Sequence, residues 1–103
     1  MTEEEAVRVV WEGLSGDASI PVKLRLGKHL DREQLAAVKQ AMQLLTRRFE
    51  NQETVPKRLA AAFVDLQGSM EWGRELYSEK EQDEIEDAAV ELVNMALELF
   101  GEE

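Results

Sequence analysis

The stretch that most limits the fold is the closing one, "SEKEQDEIEDAAVELVNMALELF", residues 78–100. Ile85, Ala88, Ala89, Leu92, Val93, Ala96, Leu99 and Phe100 recur at steps of three and four, and Val90 and Leu97 widen the arc. That spacing predicts a helix. Only Asp87, Glu91, Asn94 and Glu98 form a clearly polar stripe. The apolar arc exceeds half of the helical wheel, whereas packing one side on a core takes a stripe of about 100°. A helix of this kind has to be largely enclosed, by its own chain or by a partner. Its limits are well marked. Ser78 and Glu81 have capping-box spacing, Glu79, Glu81, Asp83 and Glu84 suit the positive end of the dipole, and Gly101 supplies the stop.

Helical signals recur upstream. Thr2 and Glu5 form a capping box before Val7, Val10, Trp11 and Leu14, and Gly13 and Gly16 supply the stop. Asp31 caps a second long run, Gln34 closes its box, and Leu35, Val38, Met42, Leu45 and Phe49 give the apolar stripe. Arg47 and Arg48 suit its negative end. Residues 18–30 read two ways. Val22, Leu24 and Leu26 alternate with Lys23 and Arg25, as in a strand. Yet "SIPVKL" echoes "TVPKRL" at 54–59, with a Ser/Thr cap and an early proline. The reading is a short helix over 20–26 ended by Gly27, with strand or extended coil as the alternative.

The segment from Val55 to Tyr77 reads as one more helix despite Gly68 and Gly73. Each glycine costs about 1 kcal/mol in a helix interior. Leu59, Phe63, Leu66, Met70, Gly73 and Tyr77 step by four and three, a seam towards the core on which Gly73 admits a close neighbour. Ala61, Val64, Gly68 and Trp72 form a second, narrower face opposite. That face has two main readings, with a plain helix kink as a third. It packs on the N-terminal helix through Val7 and Trp11, with Gly68 leaving room for an indole. Or it stays exposed and docks a partner through Ala61, Val64, Asp65, Gly68 and Trp72, because tryptophan is enriched among binding hot spots. Asp65 is then a solvated rim acid or an anchor for an incoming cation.

The expected fold is all-α, with residues 1–103 forming a single helical domain. It is a small antiparallel bundle of three long helices plus one short helix, built as two helical hairpins. The absence of cysteine rules out disulfides and thiolate metal sites and fits a reducing compartment. The acidic start lacks the basic n-region of a signal peptide, and the expectation is a soluble, cytoplasmic protein. The net charge of −10 argues against nucleic-acid binding, although Lys23, Arg25, Lys28, Arg32 and Lys39 cluster in sequence. Charge is segregated. Residues 17–58 carry five acids against nine bases, and residues 59–103 carry thirteen against two. These blocks can pair within one monomer or between two copies.

Reactive groups are few. His29 is the only histidine and reads as a surface or boundary residue. No Gly-x-Ser-x-Gly elbow, phosphate loop, dinucleotide fingerprint or EF-hand spacing occurs. One carboxylate set stands out. Glu81, Glu84 and Asp87 recur every three residues, with Glu50 and Glu53 upstream in a loop. This resembles the ExxE…ExxD arrangement of all-α MazG-type nucleotide pyrophosphohydrolases, and the resemblance implies Mg²⁺ held by Glu81, Glu84 and Asp87. The same acids are what capping and the dipole favour with no metal at all.

The favoured functional reading is a non-catalytic acidic interaction module of the inhibitor, immunity or adaptor kind. It calls for no cofactor, no resident metal, no nucleic acid and no membrane. The expected partner is a protein, a basic one where charge steers binding, and a homodimer would use the surplus apolar surface of the closing helix. The alternative is the Mg²⁺-dependent hydrolase.

Overall fold

In a computed structural model, which describes residues 1–101, the chain is all-α. The order is α1 (Glu3–Ser15), α2 (Ile20–Arg25), α3 (Arg32–Arg48), α4 (Lys57–Ala61), α5 (Leu66–Met70), a 3₁₀ turn (Arg74–Leu76) and α6 (Glu79–Leu99). No strand occurs among the described residues, so residues 20–25 are helical and the strand alternative falls. No helix among them is long and apolar enough to cross a membrane.

Helix starts follow the cap residues, with a difference in what the third residue does. Thr2 and Glu5 make a complete box, each side chain bonding the other's backbone N–H at 3.1 Å. Asp31 accepts from the Gln34 N–H at 3.0 Å, but the Gln34 amide donates to the Ala18 carbonyl instead. Ser78 accepts from the Glu81 N–H, while the Glu81 carboxylate turns to His29, 2.7 Å away. In both cases a tertiary contact has taken the side chain that local capping would use. Thr54 caps nothing. The helix there starts after Pro56, without a side-chain cap.

Asp31 also ties α3 to α2, because the Lys23 ammonium lies 2.8 Å from its carboxylate. That hydrogen bond, followed by the Gln34 N–H, holds the Asp31 carboxyl below its ordinary range. A depressed acid stabilises the fold fully above its unfolded value, near pH 4, and loses that contribution as pH falls through the folded one. Asp31→Ala is therefore expected to melt below wild type at pH 7. The gap should narrow progressively as melts are run at lower pH, from about 4 down through the depressed folded value; a constant gap would contradict this assignment.

Packing departs from the sequence reading in three places. Gly13 is not a stop, since α1 continues to Ser15 and Gly16 is its C-cap. Gly13 instead lies where α1 crosses α3: a Cβ there would stand 2.4 Å from Val38 Cγ2. With the bond from Gln34 to the Ala18 carbonyl, that contact shows the chain advancing along α1 as it goes back along α3, so this pair is antiparallel.

The second departure is direction. α3 and α6 run parallel. His29 meets Glu81, Arg32 meets Glu84 and Lys39 meets Glu91, a constant offset of 52 residues. Phe49 and Phe100 then line one hollow at the far ends of both helices. The basic middle and the acidic end of the chain thus pair inside one monomer.

The third is the segment between them. Residues 55–77 are not one helix but α4, α5 and the 3₁₀ turn, separated at Ala62–Asp65 and at Glu71–Gly73. The expected seam still points inward: Leu59, Leu66, Met70 and Tyr77 are buried and Phe63 is half-buried. The break redirects the chain. α4 packs on α1, whereas α5 packs on α6 and α2. One straight helix could not serve both, so tertiary packing overrides helical periodicity. The core that results centres on Val10, Val38, Met42, Leu45, Leu59, Met70 and Leu92, each almost fully buried. Burying one such side chain contributes about 1.5–3 kcal/mol.

Candidate docking groove

The ends of α1 and α2 and the broken segment α4–α5 enclose a groove of about 420 Å³. Leu14, Pro21 and Val22 form one wall, and Ala61, Val64, Asp65 and Trp72 the other. Four of the five residues that the sequence assigns to a docking face therefore meet around one concavity. The fifth, Gly68, does not line it. A Cβ at Gly68 would stand 2.7 Å from Asp65 Oδ1, so the glycine leaves room for its own turn's carboxylate and not for an indole.

The face is not covered by α1. Val64 is 84% exposed and Trp72 41% exposed. Trp11 packs elsewhere, its ring lying 4.5 Å beneath the Arg58 guanidinium. Trp72 is nevertheless held. Arg25 from α2 stacks over its ring at 5.1 Å, an arrangement worth about 0.5–1 kcal/mol at an exposed site. With Met70, Ile85 and Ala89 the indole also lines a small slot of about 20 Å³. Arg25 thus covers one face of the ring, and the side chain borders both the slot and the groove.

Its position depends on Gly73 and Tyr77. Gly73 has φ +73°, the left-handed region that favours glycine, and a Cβ there would come within 2.9 Å of the Leu24 carbonyl oxygen. The Tyr77 hydroxyl donates to that same carbonyl at 2.6 Å and accepts from the His29 N–H at 3.3 Å. So the end of α2, the approach to α3 and the approach to α6 converge on one buried tyrosine. His29 itself sits at φ +65°, held by this bond and by Glu81. Sequence reasoning placed Tyr77 on the core seam but missed this hydroxyl; no local pattern signals a hydrogen bond across 53 residues.

The carboxylates of the alternative reading do not converge. Glu81 and Glu84 are engaged by His29 and Arg32, and Asp87 is exposed one turn further on. Glu50 and Glu53 lie at the opposite end of the bundle, around the hollow shared with Glu98. No group of three or more potential ligands suited to a metal ion occurs among the described residues. Asp65 makes no side-chain cap bond and no ion pair among them. Comparison with known proteins finds no family model, no curated protein and no solved structure that matches this chain.

Proposed function

We propose that the chain is a non-catalytic protein–protein interaction module whose partner inserts into the groove between α2 and α4–α5. The observation that carries the reading is Val64. A β-branched apolar side chain left 84% exposed beside a half-fixed tryptophan contributes almost nothing to the monomer's own packing. Trp72 supplies a large, rigid contact at low entropic cost, since Arg25 already restrains it. Asp65, at the rim and without an ion partner among the described residues, suits a cationic side chain on the incoming segment.

Two substitutions test this together. Val64→Ser is expected to leave stability within about 0.5 kcal/mol of wild type, because the site is open to solvent. Trp72→Ala removes partial burial as well. Proteins captured by the wild type and lost with both variants, at a cost of about 2 kcal/mol or more in affinity for Trp72→Ala, are the expected result. Capture that neither substitution alters would dispose of the groove as the binding site.

A further inference from the structure

We propose a second docking surface: the outward stripe of α6 receives a helix of another protein whose own seam is half basic and half apolar. The stripe runs the length of α6. Glu79, Asp83 and Glu86 occupy its first half at steps of four and three, and Val90, Val93, Leu97 and Phe100 continue the same alternation. It is therefore an unbroken 4–3 seam about 31 Å long, the pattern by which helices pack on helices. The fold uses it only in part: Val93 is half-buried against the core and Phe100 meets the Phe63 ring edge-on at 5.6 Å, while the other positions stay open. Val90 is 43%, Leu97 45% and Phe100 38% exposed, and all three acids are exposed. The closing helix is thus less enclosed than its apolar arc demands, and the shortfall lies on this stripe.

Charge identifies the occupant. The acids of α6 fall into two sets. Glu84 and Glu91 are paired with Arg32 and Lys39 of α3, and Glu81 lies 2.7 Å from the His29 ring just before it. Glu79, Asp83 and Glu86 make no ion pair among the described residues. A second copy of the chain fits poorly. Parallel pairing of two α6 stripes sets three carboxylates against three. In-register antiparallel pairing buries those carboxylates against Val90, Leu97 and Phe100 with no cation to meet them. A helix with Lys or Arg along one half of its seam and Leu-like residues along the other satisfies both halves at once.

The test uses the full chain and synthetic 21-residue helical peptides. Their seam positions carry Lys in one half and Leu in the other, in both chain polarities. A shuffled peptide of equal composition controls for general attraction to the net charge of −10. Saturable binding of one polarity is expected, with the shuffled peptide weaker by about tenfold or more. Leu97→Glu and Glu86→Lys should each weaken it by about tenfold while leaving the thermal melt in place, since both sites are exposed. Light scattering should give the monomer mass of 11.7 kDa. The proposal is overturned if the shuffled peptide binds equally, if neither substitution matters, or if the chain is a dimer that Leu97→Glu dissolves.

Discussion

Leu92→Ala is expected to cost about 2–5 kcal/mol of stability, the range found for truncating a buried leucine. Leu92 has no solvent exposure and belongs to the central core beside Val38, Met42 and Leu45. The loss has two parts. The removed methyl groups forfeit their transfer free energy, and the surrounding helices cannot fully close the void. A chain of this size holds about 5–15 kcal/mol in total, so one substitution removes a large fraction. The melting temperature should fall by about 10–20 °C. Urea denaturation monitored by circular dichroism measures this directly, and a loss under about 1 kcal/mol would mean that α6 is not seated as described.

The second large effect is expected at Gly73. Gly73→Val should destabilise by about 2–4 kcal/mol, because it meets two obstacles at once. The residue adopts φ +73°, which a β-branched side chain rarely tolerates. Its Cβ would also stand 2.9 Å from the Leu24 carbonyl oxygen and 3.1 Å from Arg25 Cα, both backbone atoms that move only if α2 moves. Displacing α2 takes Arg25 off the Trp72 ring, so indole fluorescence should change along with stability. Gly68→Ala is the matched control. Its only close neighbour is the free end of the Asp65 side chain, which can swing aside. Alanine there also recovers up to about 1 kcal/mol of helix propensity. Should Gly68→Ala prove the more damaging of the two, the roles assigned to these glycines are reversed.

These two glycines show what the sequence discloses and what it does not. Periodicity placed Leu59, Leu66, Met70 and Tyr77 on one inward seam, and burial agrees at all four. Periodicity is blind to interruption, because α4 and α5 keep the same residues inward across a turn. Gly73 was legible as a close approach, although the neighbour is the end of α2 and the residue stands outside any helix. Gly68 was not legible. Its reason is a carboxylate three residues earlier, a detail of one turn.

The capping residues were readable at Thr2, Asp31 and Ser78 because cap bonds are local. The fates of Gln34 and Glu81 were not, since Ala18 and His29 reach them only through the tertiary fold. The charge blocks left open pairing within one monomer or between two copies, and the fold pairs them within one. They carried no information on direction, and the parallel course of α3 and α6 emerges only from the constant offset of their ion pairs. On the candidate docking face, Ala61, Val64 and Trp72 were picked out by spacing, and Asp65 as the acid beside them. The opposite wall, from Leu14 and Val22, could not be, because its proximity depends on where α2 comes to rest.

That offset has a consequence for how the molecule assembles. Joining α1 to α3 at Gly13 and Val38 closes a loop of 25 residues, and joining α3 to α6 closes one of 52. Doubling a loop adds only about 0.6 kcal/mol of closure entropy, so distance along the chain is a minor obstacle. The larger one is that α4 and α5, at five residues each, are too short to persist unaided. They acquire their shape from the long helices they bridge. In a two-state chain of this size, seating of the last helix and ordering of the groove wall are expected to occur together.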